Sequence, residues 1–330
     1  MCLQSSGASQ RFTVSKLNRT SHILPDAILP GDAKMRSLLL LTAASAVCAS
    51  PLWDYVHKDD GAFAWRDTGK TLHGGPPGGN GSWTGYLLNV TSQAWLTPAD
   101  FVGPFGHIWT HQVLVVVPDV IHYTDAAALW ITGGGNDGAP DALPDASDED
   151  VLVCASMAVT VGTVCSVLYQ IPNAPIVFAA DPLRKSRSED AAVAFTWAQY
   201  MLHDRARPEW VLYFPMAKAG IKAMDATTEF MRLIRGNEIT RWVTAGASKR
   251  GATTWFTGAV DKRIIGIAPI VFDVLSFKAG VSHMWQTLGN WTFACACAAP
   301  ACLRGQRAGA PPPLHPPSPP FRAQSPTTAT

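Results

Sequence analysis

The stretch from Arg241 to Trp255, RWVTAGASKRGATTW, reads as a strand, a tight turn of small residues and a helix, with Ser248 at the turn. A serine held on a strained strand-to-helix turn exposes its hydroxyl, and the first amides of the following helix face any negative charge that develops beside it. The usual spacing for such a corner is G-x-S-x-G. Here Gly246-Ala247-Ser248-Lys249-Arg250-Gly251 puts the second glycine one position late, so the turn is expected to form with the Arg250 side chain directed outward. Ser248 is therefore the candidate nucleophile, and the backbone amide of Lys249 a candidate donor to an oxyanion. The competing reading makes Ser248 only a helix N-cap at a packed corner.

An oxyanion hole needs a second amide, from the loop after an earlier strand. The apolar run 126–135 ends in glycines, so Thr132-Gly133-Gly134-Gly135-Asn136 reads as a loop after a strand, and glycines let backbone N–H groups approach a substrate without side-chain obstruction. Gly134 is the candidate donor there; a simple turn is the alternative. GGGNDG also satisfies G-x-G-x-x-G, but Pro140 and Pro144 follow and no helix is expected at the third glycine, so a dinucleotide site is not supported. A serine also needs a base, and a base needs an orienting acid, in the chain order Ser, Asp/Glu, His. Asp273, after the apolar run 263–272, is a candidate acid or a structural brace. His283 is the only histidine between it and the tail, and neither His283 nor His315 follows a recognisable strand, so no triad can be assembled from sequence. Lys249 and Arg250 could receive an anionic substrate group or brace Asp261 or Glu189. His107 and His111 have metal-binding spacing only on a helix; they precede a β-rich run and are read as structural. No motif calls for a cofactor or a metal.

Strands and helices alternate from residue 51 onward. Residues 84–92, 112–120, 126–135, 163–172, 241–247 and 263–272 are β-rich or apolar runs, the third ending in glycines. Residues 147–158 open with acidic side chains suited to a helix start. Residues 186–204 carry Ser186-x-x-Glu189 in the form of a capping box, with Val193, Trp197, Tyr200 and Met201 on one face. Residues 217–234 keep the helical period through Ile221, Met224, Thr228 and Met231, and 249–260 form a further helix. Near-continuous apolar strands separated by helices predict an α/β fold, a mainly parallel sheet covered on both faces.

The bulk numbers exclude some classes. Hydrophobic residues make up 47% of the chain, enough for a substantial core, and the formal net charge of +1 offers no electrostatic footprint for nucleic acid. No segment approaches the roughly 20 apolar residues of a membrane span. Residues 35–49 have the layout of a secretory signal peptide, with Met35 as the natural start and residues 1–34 as a spurious or disordered extension. Secretion from Met35 fits the sequons at Asn80, Asn89 and Asn290. Cys154 and Cys165 could form a disulfide, but two buried free thiols are the expectation. The folded domain is expected over 50–298, and the Pro-rich residues 299–330 cannot bury a core and are expected to be disordered.

Several long words in order resemble one family. LNVTSQAWL (88–96), LWITGGGND (129–137), LYQIPNAPIVF (168–178), RSEDAAVAFTWAQYM (187–201), FPMAKAGIKAMDA (214–226) and the run from Thr244 to Leu275 are similar to the PhoPQ-activated pathogenicity-related family, which includes secreted autocrine proliferation repressors. The resemblance covers about residues 52 to 297. It implies an α/β-hydrolase-like fold with Ser248 at the nucleophile elbow and Lys249 as an oxyanion donor. It also implies that the last strands, expected to carry the acid and histidine, are missing, which leaves 263–272 as an apolar edge and the product poorly stable. The resulting expectation is a secreted serine hydrolase for an ester or peptide bond, inactive in this form, acting on a small-molecule or peptide substrate. Its alternative is a non-catalytic secreted protein that binds a cell-surface partner.

Overall fold

The computed structural model describes residues 50–75, 81–272 and 276–289. The expected leader, the sequons at Asn80 and Asn290, Asp273 and the Pro-rich tail lie outside the described residues.

Among the described residues the elements follow one another as α1 (Pro51–His57), β1 (Ala64–Gly74), β2 (Trp83–Ala94), β3 (Ile108–Pro118), β4 (Ala126–Ile131), α2 (Glu149–Val161), β5 (Val164–Leu168), β6 (Ile176–Val177), β7 (Ser186–Arg187), α3 (Glu189–Ala198), α4 (Tyr213–Arg235), β8 (Arg241–Ala247), α5 (Lys249–Val260), β9 (Ile264–Ile270) and α6 (Phe277–Leu288). Seven strands form one sheet in the order β1-β2-β3-β5-β4-β8-β9, and β6 and β7 make a separate two-stranded ribbon. The pairings β5–β4, β4–β8 and β8–β9 are parallel, while β1–β2, β2–β3 and β3–β5 are antiparallel. The fold is α/β-hydrolase-like, with its parallel half on the side of Ser248.

Both faces of the central strands are covered, which is why these strands read as apolar runs, whereas the edge strand β9 has no fully buried residue and leaves Ile265 and Ile270 exposed, the apolar edge expected at 263–272. On β3, Val113, Val115 and Val117 enter the larger core with Trp242 of β8 and with Met224 and Phe230 of α4. Leu114 and Val116 enter a second core on the other face with Val151, Cys154 and Ala158 of α2. The strand period of two thus feeds two cores from one run of valines and leucines. The expected face of α4 is found, with Ile221, Met224, Thr228 and Met231 buried. Gly236 in the left-handed region ends α4, and Arg232 and Arg235 lie in its last turn.

Three expectations are corrected. The capping box is absent: Ser186 pairs with Val177 in the β6–β7 ribbon, and Ser188 is the N-cap of α3. The most buried face of that helix is Ala192, Phe195 and Thr196; of the expected face, Val193 and Tyr200 pack against the core, while Met201 is exposed in a π-helical turn, Gln199–His203. The third correction is covalent. Cys154 and Cys165 are bonded to each other, not free thiols. Packing α2 onto β5 brings their Cα atoms to 5.4 Å, inside the range a disulfide requires. Closing a loop of this length removes conformational freedom from the unfolded chain. Replacing both cysteines by alanine is expected to cost about 3 kcal/mol of stability, read as a lower denaturation midpoint that matches the wild type under reductant.

Candidate active site

Parallel strands β4, β8 and β9 all end at the same rim of the sheet, and the corners after β4 and β8 build the site. The β4–β8 ladder ends at Ile131↔Gly246, and β8–β9 at Ala247↔Ile270. Beyond these pairs the chain turns sharply at Ser248, whose backbone sits at φ 55° and ψ −122°. A non-glycine residue there carries strain of order 1–3 kcal/mol that the surroundings must hold. They do so with two backbone bonds, Ser248 N–H to Ile270 (2.9 Å) and Ala252 N–H to the Ser248 carbonyl (3.1 Å).

The displaced glycine finds its explanation in packing. A Cβ on Gly246 would stand 2.9 Å from the carbonyl oxygens of both Arg250 and Ile131. One on Gly251 would stand 3.0 Å from the Ile270 carbonyl oxygen and 2.9 Å from Cβ of Phe272. Helix α5 thus closely approaches the ends of β8 and β9 at position 251, which leaves position 250 free for a long side chain.

A capping serine has extended backbone and a side-chain oxygen that accepts an amide of the first turn. Ser248 has neither: its φ is positive and its hydroxyl makes no cap bond. It is exposed, and it opens onto a cavity of about 330 Å³ lined by Trp130, Thr132, Asp150, Val153 and Arg250. Asp150 shapes this wall by accepting from Nε1 of Trp130 (2.6 Å) and Oγ1 of Thr132 (2.9 Å). Neither Asp150 nor Trp130 was picked out by sequence reading, which saw only a helix start in the acidic pair Glu149-Asp150. Asp148 caps α2, accepting from the amides of Asp150 and Val151, while Asp150 in the first turn faces the cavity.

The glycine loop lies against this site. Its backbone is fixed from the next strand's loop by Gln170 N–H to the Gly133 carbonyl (2.6 Å) and by Asn136 N–H to the Ala174 carbonyl (2.7 Å). Gly134 has φ 118°, a conformation side chains rarely adopt, and packs toward Gln170. Thr132 reaches the Ser248 cavity; Gly134 is not among the residues that line it. The next helix opens only at Glu149, so the G-x-G-x-x-G spacing has no helix to go with it.

Lys249 and Arg250 do not point outward. Lys249 Nζ pairs with Glu189 (2.8 Å) and Asp190 (3.1 Å), and Arg250 pairs with the other oxygen of Glu189 (2.5 Å). The Arg250 side chain is only 14% exposed, and its Nε also donates to the carbonyl of Ile171. Partial burial alone would raise the Glu189 carboxyl, but its hydrogen bonds to Lys249 and Arg250 outweigh that and hold it below the ordinary carboxylate range. The brace is therefore to Glu189; Asp261 instead holds Arg263 (2.6 Å).

Among the described residues no histidine lines the Ser248 cavity. His111 is fully buried in β3, where Nδ1–H donates to the Tyr169 carbonyl (3.2 Å) and Nε2 is bonded to the Ser92 hydroxyl (3.0 Å). Burial pushes its pKa down to about 4, so it is a neutral core imidazole. His107 bonds the Trp95 carbonyl, and His283 on α6 is exposed beside Thr287 (3.4 Å). Among the described residues no group of three His, Cys, Asp or Glu side chains could hold a metal, and the cavity carries Glu149 and Asp150 but no imidazole.

Residues 52–297 match the family model described as PhoPQ-activated pathogenicity-related protein. The chain belongs to this family. It is also 37% identical over 264 residues to autocrine proliferation repressor protein A of Dictyostelium discoideum, covering 79% of this chain and 49% of that one. The chain thus spans about half the length of that relative. Solved structures similar to this member of the family include an acetyl xylan esterase from Paenibacillus sp. R4, with a TM-score of 0.39 at 15% identity over 70% of this chain and 61% of that one. A glucuronoyl esterase from Solibacter usitatus has a TM-score of 0.36 at 14% identity, over 64% and 52% respectively. These scores are too low to bear on the chemistry, and the fold of this family member rests on its own strand order.

Proposed function

We propose that the protein is a secreted serine hydrolase in which Ser248 attacks the carbonyl carbon of an ester or peptide bond. The observation that carries the proposal is the backbone of Ser248, strained into positive φ at the end of β8 with its hydroxyl free of any capping bond. In such a reaction Oγ bonds to the acyl carbon as its proton passes to a base. The alcohol or amine then leaves with a proton, and water releases the acid and restores the hydroxyl. Developing charge on the acyl oxygen would be met by the amide of Lys249 at the start of α5 and by an amide of the glycine loop, Gly134 being the candidate. The base and its orienting acid belong to residues outside those described, Asp273 among the candidates. Secretion is supported by the Cys154–Cys165 disulfide, a bond at home in oxidising compartments, and by the signal-like residues 35–49.

A fluorophosphonate probe tests the reaction on the protein expressed through a secretory pathway. Covalent labelling that disappears in Ser248→Ala is the expected result. A folded protein that takes no label would remove the enzyme reading. It would leave the second one, a secreted binding protein on a hydrolase scaffold, with the Ser248 cavity and its Glu149 and Asp150 carboxylates as the binding surface.

A further inference from the structure

Arg250 occupies a position that the usual elbow reserves for glycine, and its contacts cross from one catalytic corner to the other. Past Ile131↔Gly246 the two strands part. The β4 chain runs into the glycine loop and the β8 chain into Ser248 and α5. The glycine loop is cross-bonded to residues 170–171, since Gln170 N–H donates to Gly133 (2.6 Å) and Ile171 N–H donates to Thr132 (3.1 Å). From the first turn of α5, the Arg250 guanidinium reaches this bonded pair of loops. Nε donates to the Ile171 carbonyl, Nη2 is held by Glu189 (2.5 Å), and the tip of the group packs close to Gly133.

We propose that Arg250 is a positioning residue, a strut that sets the distance between the Ser248 elbow and the Gly133–Gly135 loop. The proposal rests on the serine-hydrolase reading. An oxyanion hole built from two separate corners works only if their spacing is fixed, and a misplacement of about 1 Å can cost a hundredfold in rate. Strand pairing fixes β4 and β8 but ends before either donor. The rigid planar fork of an arginine, locked at two ends and mostly buried, can supply the missing constraint. Glu189 sets the direction of the fork, and Lys249 shares that carboxylate, so the first two residues of α5 are anchored to α3 together.

Gly133 supplies a selective probe of the strut. A Cβ there would meet Arg250 Nη2 at 2.5 Å and Cζ at 3.1 Å, and φ of Gly133 is not positive, so alanine is compatible with the backbone. The obstructing atoms are the tip of a side chain, so the guanidinium must leave while the loop stays. Arg250→Ala and Gly133→Ala are therefore expected to lower the rate of fluorophosphonate labelling by a similar factor, about a hundredfold. The double variant is expected to be no slower than either single one, because both remove the same strut. Arg250→Lys, which keeps charge but not the fork, should lose nearly as much, and added ethylguanidinium should restore part of the rate of Arg250→Ala. Wild-type labelling rates in the single variants, or losses that multiply in the double variant, would overturn the strut and leave the hydrolase reading intact. A folded wild type that takes no label would instead remove the hydrolase reading, and the strut with it.

Discussion

Arg187→Met is expected to lower the unfolding free energy by about 3–5 kcal/mol, the range found when one partner of a buried ion pair is removed. Asp181 and Arg187 are 0% and 3% exposed and pair at 2.9 Å. Asp181 also accepts the amides of Leu183 and Lys185, so it cannot swing out to solvent when its partner goes. Methionine would keep contact with Phe195, over whose ring the guanidinium now sits at 4.7 Å, but would leave a carboxylate with no counter-charge. Adding Asp181→Asn to the methionine variant should recover part of the loss, since it removes the buried charge and its one amide oxygen can still accept one of the two turn amides. Denaturant titration of the three variants reads this directly; a single variant as stable as the wild type would mean that Asp181 finds water. The pair closes the β6–β7 ribbon that leads into α3, so its loss should also loosen Glu189 and slow labelling at Ser248.

Gly246→Ala should be the most damaging single methyl group at the site. The new carbon would stand 2.9 Å from the Ile131 and Arg250 carbonyl oxygens and 3.0 Å from the Arg250 carbonyl carbon. All three atoms are backbone, one on β4 and two on α5, so no side chain can yield. Overpacking of this kind costs about 1–3 kcal/mol, and the upper end is expected because relief requires α5 to move off the sheet. That movement shifts the helix amides behind Ser248, so labelling should fall about a hundredfold while the protein still folds. A variant that labels at the wild-type rate would show that the elbow does not depend on close approach at this corner.

Much of the frame was legible in the sequence. The runs 241–247 and 249–260 coincide with β8 and α5, because a short apolar strand, a small-residue corner and an amphipathic helix leave little choice. The buried face of α4 followed from the helical period of Ile221, Met224, Thr228 and Met231. Strand direction was less legible. Continuous apolar runs report burial on both faces, and β3 is buried on both faces while antiparallel to β2 and β5. The edge strand β1, AWRDTGKTLHG, was missed because most of its side chains are exposed and polar and it carries no strand-like alternation. The Ser186 box failed because a ribbon pairing took that serine, a competition with a partner from another part of the chain. At the site, Ser248 announced itself through its neighbours, whereas Asp150 and Trp130 meet only because α2 lies over the end of β4. The inward turn of Arg250 depends on Glu189, 61 residues earlier, and on Ile171, neither of which local sequence can weigh.

The disulfide sits on the same helix as the cavity wall: Asp150, which holds Trp130 and Thr132, is one turn before Cys154, and Cys154 is tied to β5. The shape of the chamber beside Ser248 is thus tied to how the protein was made. Material folded in a reducing cytosol and material folded in an oxidising compartment are two different reagents, alike in mass to within two hydrogens, and a screen for substrates run on one does not speak for the other.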